Sequence, residues 1–231
     1  MPKAHSRRAV LCWSGGKDSA WALERVRDKV EIIALITTVE ERSGRVPIHE
    51  IRGELIQAQA DLIGIPLWTV PLPHPCSNQQ YVAKLGTIYA QARSAGAEEI
   101  IFGDLFLADI RRFREDSLAG SGLTSVFPLW QIPTATLAKE MVAGGLRAIL
   151  TSVDRKRLAA DYAGRLFGSF DMPANVDPCG ENGEFHTFAC DGPMFRQPVR
   201  AIVESRREDD CYAYAELSPV PAPAPCPASS L

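Results

Sequence analysis

The chain has 231 residues, of which 46% are hydrophobic, and a formal net charge of -3 at pH 7. This length and apolar content predict one large globular domain, or a domain with a smaller partner, and the weak net charge disfavours nucleic acid as a binding partner. The sequence predicts neither a signal peptide nor a membrane span, because the apolar run after residue 8 is interrupted at Ser14. We therefore expect a cytoplasmic protein that does not bind membranes.

Apolar strand patterns alternate with helical patterns over the first two thirds of the chain. Strands are predicted at 8–13, 31–39, 66–72, 99–103, 126–130 and 146–153, and helices at 17–29, at 51–62 up to Gly64, at 82–92, around Arg111 and at 137–142. Such alternation predicts a mainly parallel sheet with helices on both faces. Ligands of such sheets bind at the carboxyl ends of the strands, where residues 14–19 and Gly103-Asp104 would both lie.

The composition changes near residue 130, after which glycine and proline become frequent. We predict a first domain over 1–130 and a smaller α+β domain over 131–217. The smaller domain includes a loop at 177–186 and a hairpin of 199–206 with 211–217 that turns at 208–210. Residues 218–231 are rich in proline and alanine and predict a disordered tail.

The predicted junction between the first strand and the first helix carries a phosphate-binding pattern. It consists of Ser14, Gly15, Gly16, Lys17, Asp18 and Ser19. The two glycines allow backbone N–H groups to approach an anion at a helix N-terminus, and Lys17 adds a positive charge. A carboxylate beside phosphate repels it unless a divalent cation lies between them, so Asp18 predicts a magnesium ligand. The alternative is an ordinary glycine-rich turn in which Asp18 or Ser14 caps the helix.

A second polar segment, residues 176–188, combines carboxylates, a thiol, an imidazole and two glycines. Glu181 and Glu184 can bind a metal or hold an amine, and His186 can exchange protons near neutral pH. The alternatives are a solvated turn for the two glutamates and a half-buried histidine bonded to backbone. Cys179 has no base beside it in the sequence and is expected to be an inert thiol.

The two segments together resemble one known family. Residues 14–19 resemble the SGGKDS loop of the ATP pyrophosphatases, which cleave ATP between the α and β phosphates. Residues 181–188 (ENGEFHTF) resemble the E-x-G-E-[FY]-x-T element of the diphthine–ammonia ligase family. Members of that family use ATP and ammonium to convert the diphthine carboxylate of elongation factor 2 into an amide. Matches at 37–41, 49–52, 76–78, 103–104, 127–130 and 191–193 resemble the bacterial branch of the family.

The resemblance implies a Rossmann-like sheet of the HUP type and an ATP-dependent C–N ligase that releases AMP and pyrophosphate through an acyl adenylate. It implies ATP and Mg²⁺ as cofactors, with ammonium and a carboxylate acceptor as partners. The implied catalytic residues are Lys17, Asp18, Glu181 and Glu184. The implied ATP-binding residues are 14–19, Thr37 and Gly103, with adenine beside the strand that ends at Thr37. The implied substrate-binding residues are His49, Asn78, Asp104, Arg111, His186 and Thr187.

The sequence departs from the family at the substrate pocket. Residues 103–112 differ from the Gly-Ala-Ile-x-Ser-x-Tyr-Gln stretch of members that act on diphthine, and Asn182 and His186 replace the usual Gly and Glu. The resemblance to the bacterial branch implies a bacterial source without elongation factor 2, so we expect a different carboxylate acceptor, either a small molecule or a protein. The alternatives are an adenylating enzyme for a nucleotide or RNA and a non-catalytic ATP sensor. Arg112 and Arg114 are expected to be solvated or to contact a partner subunit, and a homodimer is compatible with the sequence.

Overall fold

The computed structural model describes residues 7–220. Its strands are β1 (Arg8–Cys12), β2 (Glu31–Glu40), β3 (Arg45–Val46), β4 (Ile51–Arg52), β5 (Leu67–Leu72), β6 (Glu99–Ile101), β7 (Thr124–Val126), β8 (Arg147–Asp154), β9 (Phe185–Asp191), β10 (Ala201–Glu208) and β11 (Tyr212–Pro219). Its helices are α1 (Lys17–Val26), α2 (Gly53–Ile63), α3 (Asn78–Ser94), α4 (Ala108–Ser117) and α5 (Thr134–Ala143), with a 3₁₀ turn at Ala160–Tyr162. Within the described residues, no helix is both long enough and apolar enough to cross a membrane.

The first sheet has five parallel strands in the order β5-β2-β1-β6-β7. Ala9 and Leu11 of β1 pack into one apolar cluster, and Val10 between them packs into another, so both faces of the strand are buried. A strand that is covered on both faces needs an uninterrupted apolar run, which is what the sequence shows. The predicted parallel sheet with helices on both faces is confirmed.

The second sheet is antiparallel, with the order β10-β11-β8-β9. It packs onto the first sheet through one continuous apolar cluster that contains Leu35 of β2, Leu55 of α2, Phe188 of β9 and Ala213 of β11. The smaller α+β region is therefore present and shares a core with the parallel sheet. The exact domain boundary near residue 130 stays a prediction.

Three predicted elements need correction. The strand predicted at 126–130 is the three-residue strand β7, because the chain turns after Val126 and Gln131 adopts a positive φ of 58°. The loop predicted to reach His186 ends at Phe185, where the buried strand β9 begins. The hairpin is confirmed, but β11 pairs with β10 as far as Pro219, so Ser218 and Pro219 are not part of a disordered tail. The rest of that predicted tail, from 221 onward, lies outside the described residues.

Candidate active site

A cavity of about 1130 Å³ lies at the carboxyl ends of the parallel strands. Its walls include residues that follow β1, β2, β5 and β6, together with residues of the segment that leads into β9. Ten of the residues predicted for the site line it: Ser14, Lys17, Asp18, Ser19, His49, Gly103, Asp104, Glu181, His186 and Thr187. The two segments singled out in the sequence therefore meet at one cavity, although 170 residues separate Lys17 from Thr187.

Strand β9 is bonded directly to the glycine-rich loop. The N–H of Ala189 donates to the carbonyl of Gly15 at 2.8 Å, and the N–H of Lys17 donates to Oγ1 of Thr187 at 3.0 Å. The buried side-chain amide of Gln59 donates from Nε2 to the carbonyls of Gly15, at 2.9 Å, and Ala189, at 2.7 Å. Thr187 thus acts as a cap for helix α1 that comes from a distant strand.

We expect Thr187→Val to destabilise the fold by about 1 kcal/mol, because the isosteric side chain leaves the N–H of Lys17 without its acceptor. Chemical unfolding of the nucleotide-free protein measures the change. Thr187→Ser keeps the hydroxyl and is expected to retain most of the stability. Equal losses in both variants would show that the hydroxyl does not cap the helix.

Three glycines allow the close approaches on which this loop depends. Gly15 has a φ of +80°, and a Cβ there would lie 2.4 Å from Cδ1 of Ile56. A Cβ on Gly16 would lie 2.9 Å from Cε1 of His49. A Cβ on Gly103 would lie 3.0 Å from the backbone N of Ser19, so the end of β6 touches the backbone of α1. A loop in which glycines allow such close backbone approaches is typical of phosphate-binding loops.

Lys17 is the buried cation of the site. Its side chain is 3% exposed, and its Nζ donates to Oδ2 of Asp18 at 2.8 Å. Nζ also lies 5.3 Å from the ring centre of Phe185 and 5.7 Å from that of Phe167. Burial disfavours the charge, but the Asp18 carboxylate outweighs this cost and raises the pKa of Lys17 above its ordinary value. The lysine therefore stays charged in an apolar wall.

Asp18 has one oxygen left over after this ion pair. Oδ1 is buried and has no hydrogen-bond partner. A carboxylate oxygen of this kind is a ligand that a hard cation such as Mg²⁺ would use. Burial raises the pKa of the Asp18 carboxyl despite the Lys17 charge, and the nearby Asp104 adds to the shift. No group of three or more metal-ligating side chains occurs among residues 7–220. This donor set fits Mg²⁺ held by one carboxylate together with phosphate oxygens, rather than a cage made of protein ligands alone.

The two serines of the loop hold its shape. Oγ of Ser14 accepts from the N–H of Gly16 at 3.3 Å, and Oγ of Ser19 donates to the carbonyl of Gly16 at 3.0 Å. The two hydroxyl oxygens lie 3.4 Å apart, and both line the cavity. Each hydroxyl can therefore also reach an anion in the cavity.

Glu181 faces the cavity with one oxygen fixed. Its Oε1 accepts from the backbone N–H of Leu105 at 2.7 Å. Burial raises the pKa of Glu181 to about 7, although the Leu105 hydrogen bond and Lys17 oppose the shift and Asp18 adds to it. A carboxyl group that titrates near neutral pH is suited to general acid–base work.

The catalytic role predicted for Glu184 stays a prediction, and the surroundings of its side chain point to a structural role. Its side chain is buried and does not line the cavity, and its carboxylate accepts hydrogen bonds from Asp177 N at 3.2 Å, Asn182 N at 3.0 Å and Asn182 Nδ2 at 3.1 Å. All three donors belong to the segment before β9. Glu184 therefore stabilises the turn that presents Glu181.

We expect Glu184→Gln to lower the free energy of unfolding by about 1–3 kcal/mol, because an amide N–H₂ would face backbone donors that now have an acceptor. Thermal or chemical unfolding measures this loss. The exposed Glu98, changed to Gln, serves as the matched control and should leave stability within about 0.5 kcal/mol. Wild-type stability of Glu184→Gln would contradict the role in the turn.

Two imidazoles meet beside the loop. The rings of His49 and His186 lie 4.8 Å apart between centres, and Nδ1 of His49 is 3.1 Å from the carbonyl of Thr187. Burial lowers the pKa of His49 to about 4 and that of His186 well below its ordinary value, with Lys17 adding to both shifts. Both rings are therefore neutral at pH 7. His49 Nδ1–H donates to the Thr187 carbonyl, which leaves Nε2 as an acceptor.

Besides Glu184 and the loop glycines Gly15 and Gly16, three further predicted site residues do not line the cavity. Thr37 is buried, and strand alternation directs its neighbours Ile36 and Thr38 into the cavity instead. Asn78 is the exposed first residue of α3. Arg111 forms an ion pair with Glu115 at 2.8 Å, and its guanidinium stacks 4.8 Å from the ring centres of Phe127 and Trp130.

Arg114, expected to be solvated or to contact a partner, lines the cavity with 25% of its side chain exposed, and a contact with a partner stays a prediction. Arg112 is exposed, as predicted. Cys179 is 1% exposed, its Sγ lies 3.4 Å from the carbonyl of Thr134, and burial raises its pKa to about 12. The expected inert thiol agrees with this environment.

Comparison with known families finds two matching models. Residues 7–125 match the model of the diphthamide synthase N-terminal domain, and residues 133–216 match that of the diphthamide synthase C-terminal domain.

Similar proteins include three described as diphthine–ammonia ligases. The one from Danio rerio is 26% identical over 235 residues, covering 89% of this chain and 91% of that protein. The one from Rattus norvegicus is 24% identical over 242 residues, covering 91% of each. The one from Schizosaccharomyces pombe is 24% identical over 227 residues, which cover 86% of this chain but only 37% of that protein.

Proposed function

Because the chain belongs to the diphthamide synthase family, we propose that it is an ATP-dependent ligase that converts a carboxylate into an amide with ammonium. One observation carries the proposal. Thr187 of the second segment is bonded to the loop of residues 14–19, which is predicted to bind phosphate, and Lys17, Asp18 and Glu181 all line the cavity where the two segments meet. Nucleotide and acceptor would thus meet where the two segments join.

In the first step, an oxygen of the acceptor carboxylate attacks the α phosphorus of ATP, and the bond to the bridging oxygen of the β phosphate breaks. The products are an acyl adenylate and pyrophosphate. Negative charge grows on the leaving pyrophosphate, and the buried Lys17 and the serine hydroxyls of the loop would neutralise it. Asp18 would hold Mg²⁺ through its free Oδ1, and the ion would supply further charge neutralisation there.

In the second step, ammonia attacks the acyl carbon, and AMP leaves with the electron pair of the broken C–O bond. Ammonium must first lose a proton to become a nucleophile. Glu181 is the group suited to accept it, because its pKa is raised to about 7 and its second oxygen is not used by the Leu105 N–H. The neutral His49 and His186 add hydrogen-bonding groups without adding positive charge.

The acceptor is proposed to differ from diphthine. His186 stands where the diphthine-directed members have a carboxylate, and its ring packs on His49 inside the cavity. A neutral imidazole cannot bind a cationic group as a carboxylate does. The trimethylammonium group of diphthine would therefore lose a charged partner in this cavity.

Isotope exchange between pyrophosphate and ATP tests the proposal. The full chain, ATP, Mg²⁺ and labelled pyrophosphate are incubated with a metabolite extract that is free of ammonium. We expect exchange that depends on the extract, and an AMP conjugate of the acceptor that mass spectrometry can identify. Addition of ammonium should convert the conjugate into AMP and an amide. Release of ADP and inorganic phosphate, or no exchange with any extract, would refute the ligase.

A further inference from the structure

The cavity has a second cation, Arg114, whose side chain is 25% exposed. Arg114 of α4 lies with its guanidinium 5.3 Å from the ring centre of Phe102 and lines the cavity beside Tyr81 of α3. Its neighbours are not those of Lys17, which contacts Asp18, Phe167 and Phe185. The guanidinium therefore forms a separate positive centre in the cavity.

Most of the hydrogen-bonding capacity of Arg114 is unused. Among the described residues, its one hydrogen bond runs from Nη1 to the hydroxyl of Tyr81 at 3.2 Å. Nε is buried without a hydrogen-bond partner and lies 3.6 Å from Oδ2 of Asp104, too far for a short charged hydrogen bond. A guanidinium has five N–H donors, so Arg114 retains donors for a ligand in the cavity.

The surroundings of Arg114 favour an anion that carries apolar carbon. The charged or titratable groups that face it are the carboxylate of Asp104, the hydroxyls of Tyr81 and Tyr89, and the thiol of Cys12. Burial raises the pKa of Cys12 to about 12, so this thiol is neutral. Asp104 is the nearest carboxylate and lies beside Nε, and within residues 7–220 no hydrogen bond uses Nη2. Phe102 and Leu85 supply apolar walls.

We propose that Arg114 binds a second carboxylate of the acceptor, so that the acceptor is a dicarboxylic molecule with an apolar spacer. This inference rests on the proposed ligase function for the first carboxylate, which reacts at the loop of residues 14–19. The carboxylate that Arg114 holds is a different one, because charged hydrogen bonds to both of its oxygens withdraw electron density and make them poorer nucleophiles. The planar fork of Arg matches a carboxylate in two parallel hydrogen bonds.

Labelling of arginine with phenylglyoxal tests the subsite without any need for catalysis. The full chain is labelled alone, with glutarate, with its neutral diamide glutaramide, or with MgATP, and the Arg114 peptide is followed by mass spectrometry. We expect glutarate to slow labelling of Arg114 at least about tenfold, the smallest effect of a charge-assisted pair, while glutaramide and MgATP do not. Arg111, on the same helix but outside the cavity, should be labelled at the same rate in all four samples.

Two variants test whether the guanidinium of Arg114 binds the carboxylate. Arg114→Lys retains the charge but not the fork and is expected to weaken glutarate binding, measured by calorimetry, at least about tenfold. Tyr81→Phe frees Nη1 without removing the guanidinium and should retain glutarate binding even if Arg114→Lys folds poorly.

Protection by MgATP alone would place the nucleotide at Arg114 and overturn the inference, as would equal protection by glutarate and glutaramide. Protection by glutarate without any extract-dependent pyrophosphate exchange would support the subsite and refute the ligase. Exchange without protection would support the ligase and refute the subsite.

Discussion

Lys17→Ala is expected to lower release of pyrophosphate from ATP by about a thousandfold, the upper range for loss of one preorganised charge at a transition state. The lysine is 3% exposed and pairs with Asp18 at 2.8 Å. A cation from the solvent is therefore not expected to replace its charge at this buried position. Without Lys17, one positive charge fewer faces the leaving pyrophosphate. Extract-dependent exchange of labelled pyrophosphate into ATP is the measurement.

The matched control is Lys84→Ala, which removes an exposed lysine that lies 3.5 Å from Glu41 on the surface. Its activity should stay within twofold of the wild type, because exposed ion pairs contribute about 0–1 kcal/mol. Lys17→Ala is expected to keep its thermal midpoint within a few degrees of the wild type, since Asp18 can take up a proton when its cation is gone. Normal exchange by a folded Lys17→Ala protein would remove the lysine from the mechanism.

The parallel sheet could be predicted from the sequence because its strands are short apolar runs that must be covered on both faces. Residues 9–11 of β1 and 100–101 of β6 are fully buried, and no other arrangement covers such runs as well. The start of strand β9 was not predicted, because polar residues near its beginning resemble a loop. His186 faces the cavity, and Thr187 accepts a hydrogen bond from the backbone of Lys17. These two residues are polar because they belong to the site, although they lie in a strand.

The positions of site residues could be predicted where a motif fixes the backbone. They were harder to predict where the direction of a side chain determines whether the residue reaches the cavity. The loop of residues 14–19 lies as predicted because its glycines permit a single close fit. Glu181 and Glu184 look equivalent in sequence, yet the turn between them directs one carboxylate to the cavity and the other to backbone donors. The sequence does not reveal that difference, which depends on long-range packing.

Arg114 and Gln59 are two residues near the site that the sequence did not identify. Each belongs to an amphipathic helix in which a polar residue is normally solvated. Gln59 is fully buried because its amide joins the carbonyls of Gly15 and Ala189, and Arg114 turns into the cavity because α4 follows directly on β6. Only the arrangement of neighbouring elements distinguishes these residues from others on the same helices.

Glu181→Gln is expected to change both the pH dependence of turnover and that of stability. In the wild type, amide formation should rise with pH through an apparent pKa of about 7, because the deprotonated carboxylate accepts the proton of ammonium. The amide variant cannot accept a proton. Its AMP release with ammonium and extract should fall by about 10²- to 10⁴-fold, the usual range for loss of a general base, and lose the rise near pH 7. Exchange of pyrophosphate should persist, since adenylation does not need this base.

Stability offers a test of Glu181 that needs no acceptor. The pKa of Glu181 is about 7 in the folded protein and about 4.3 in an unfolded chain. Its contribution to stability is therefore fully present below about pH 4 and is lost as the pH rises through 7, because the unfolded chain releases the proton first.

Gln has no such titration, and its Oε1 can still accept from Leu105 N. The unfolding free energy of Glu181→Gln relative to the wild type should therefore grow by on the order of 2 kcal/mol between pH 5 and 8, after allowance for partial exposure. The same pH series on the exposed Glu98→Gln variant should give a constant difference. A constant difference for Glu181→Gln as well would mean that this carboxyl titrates normally, which would leave the ammonium step without its base.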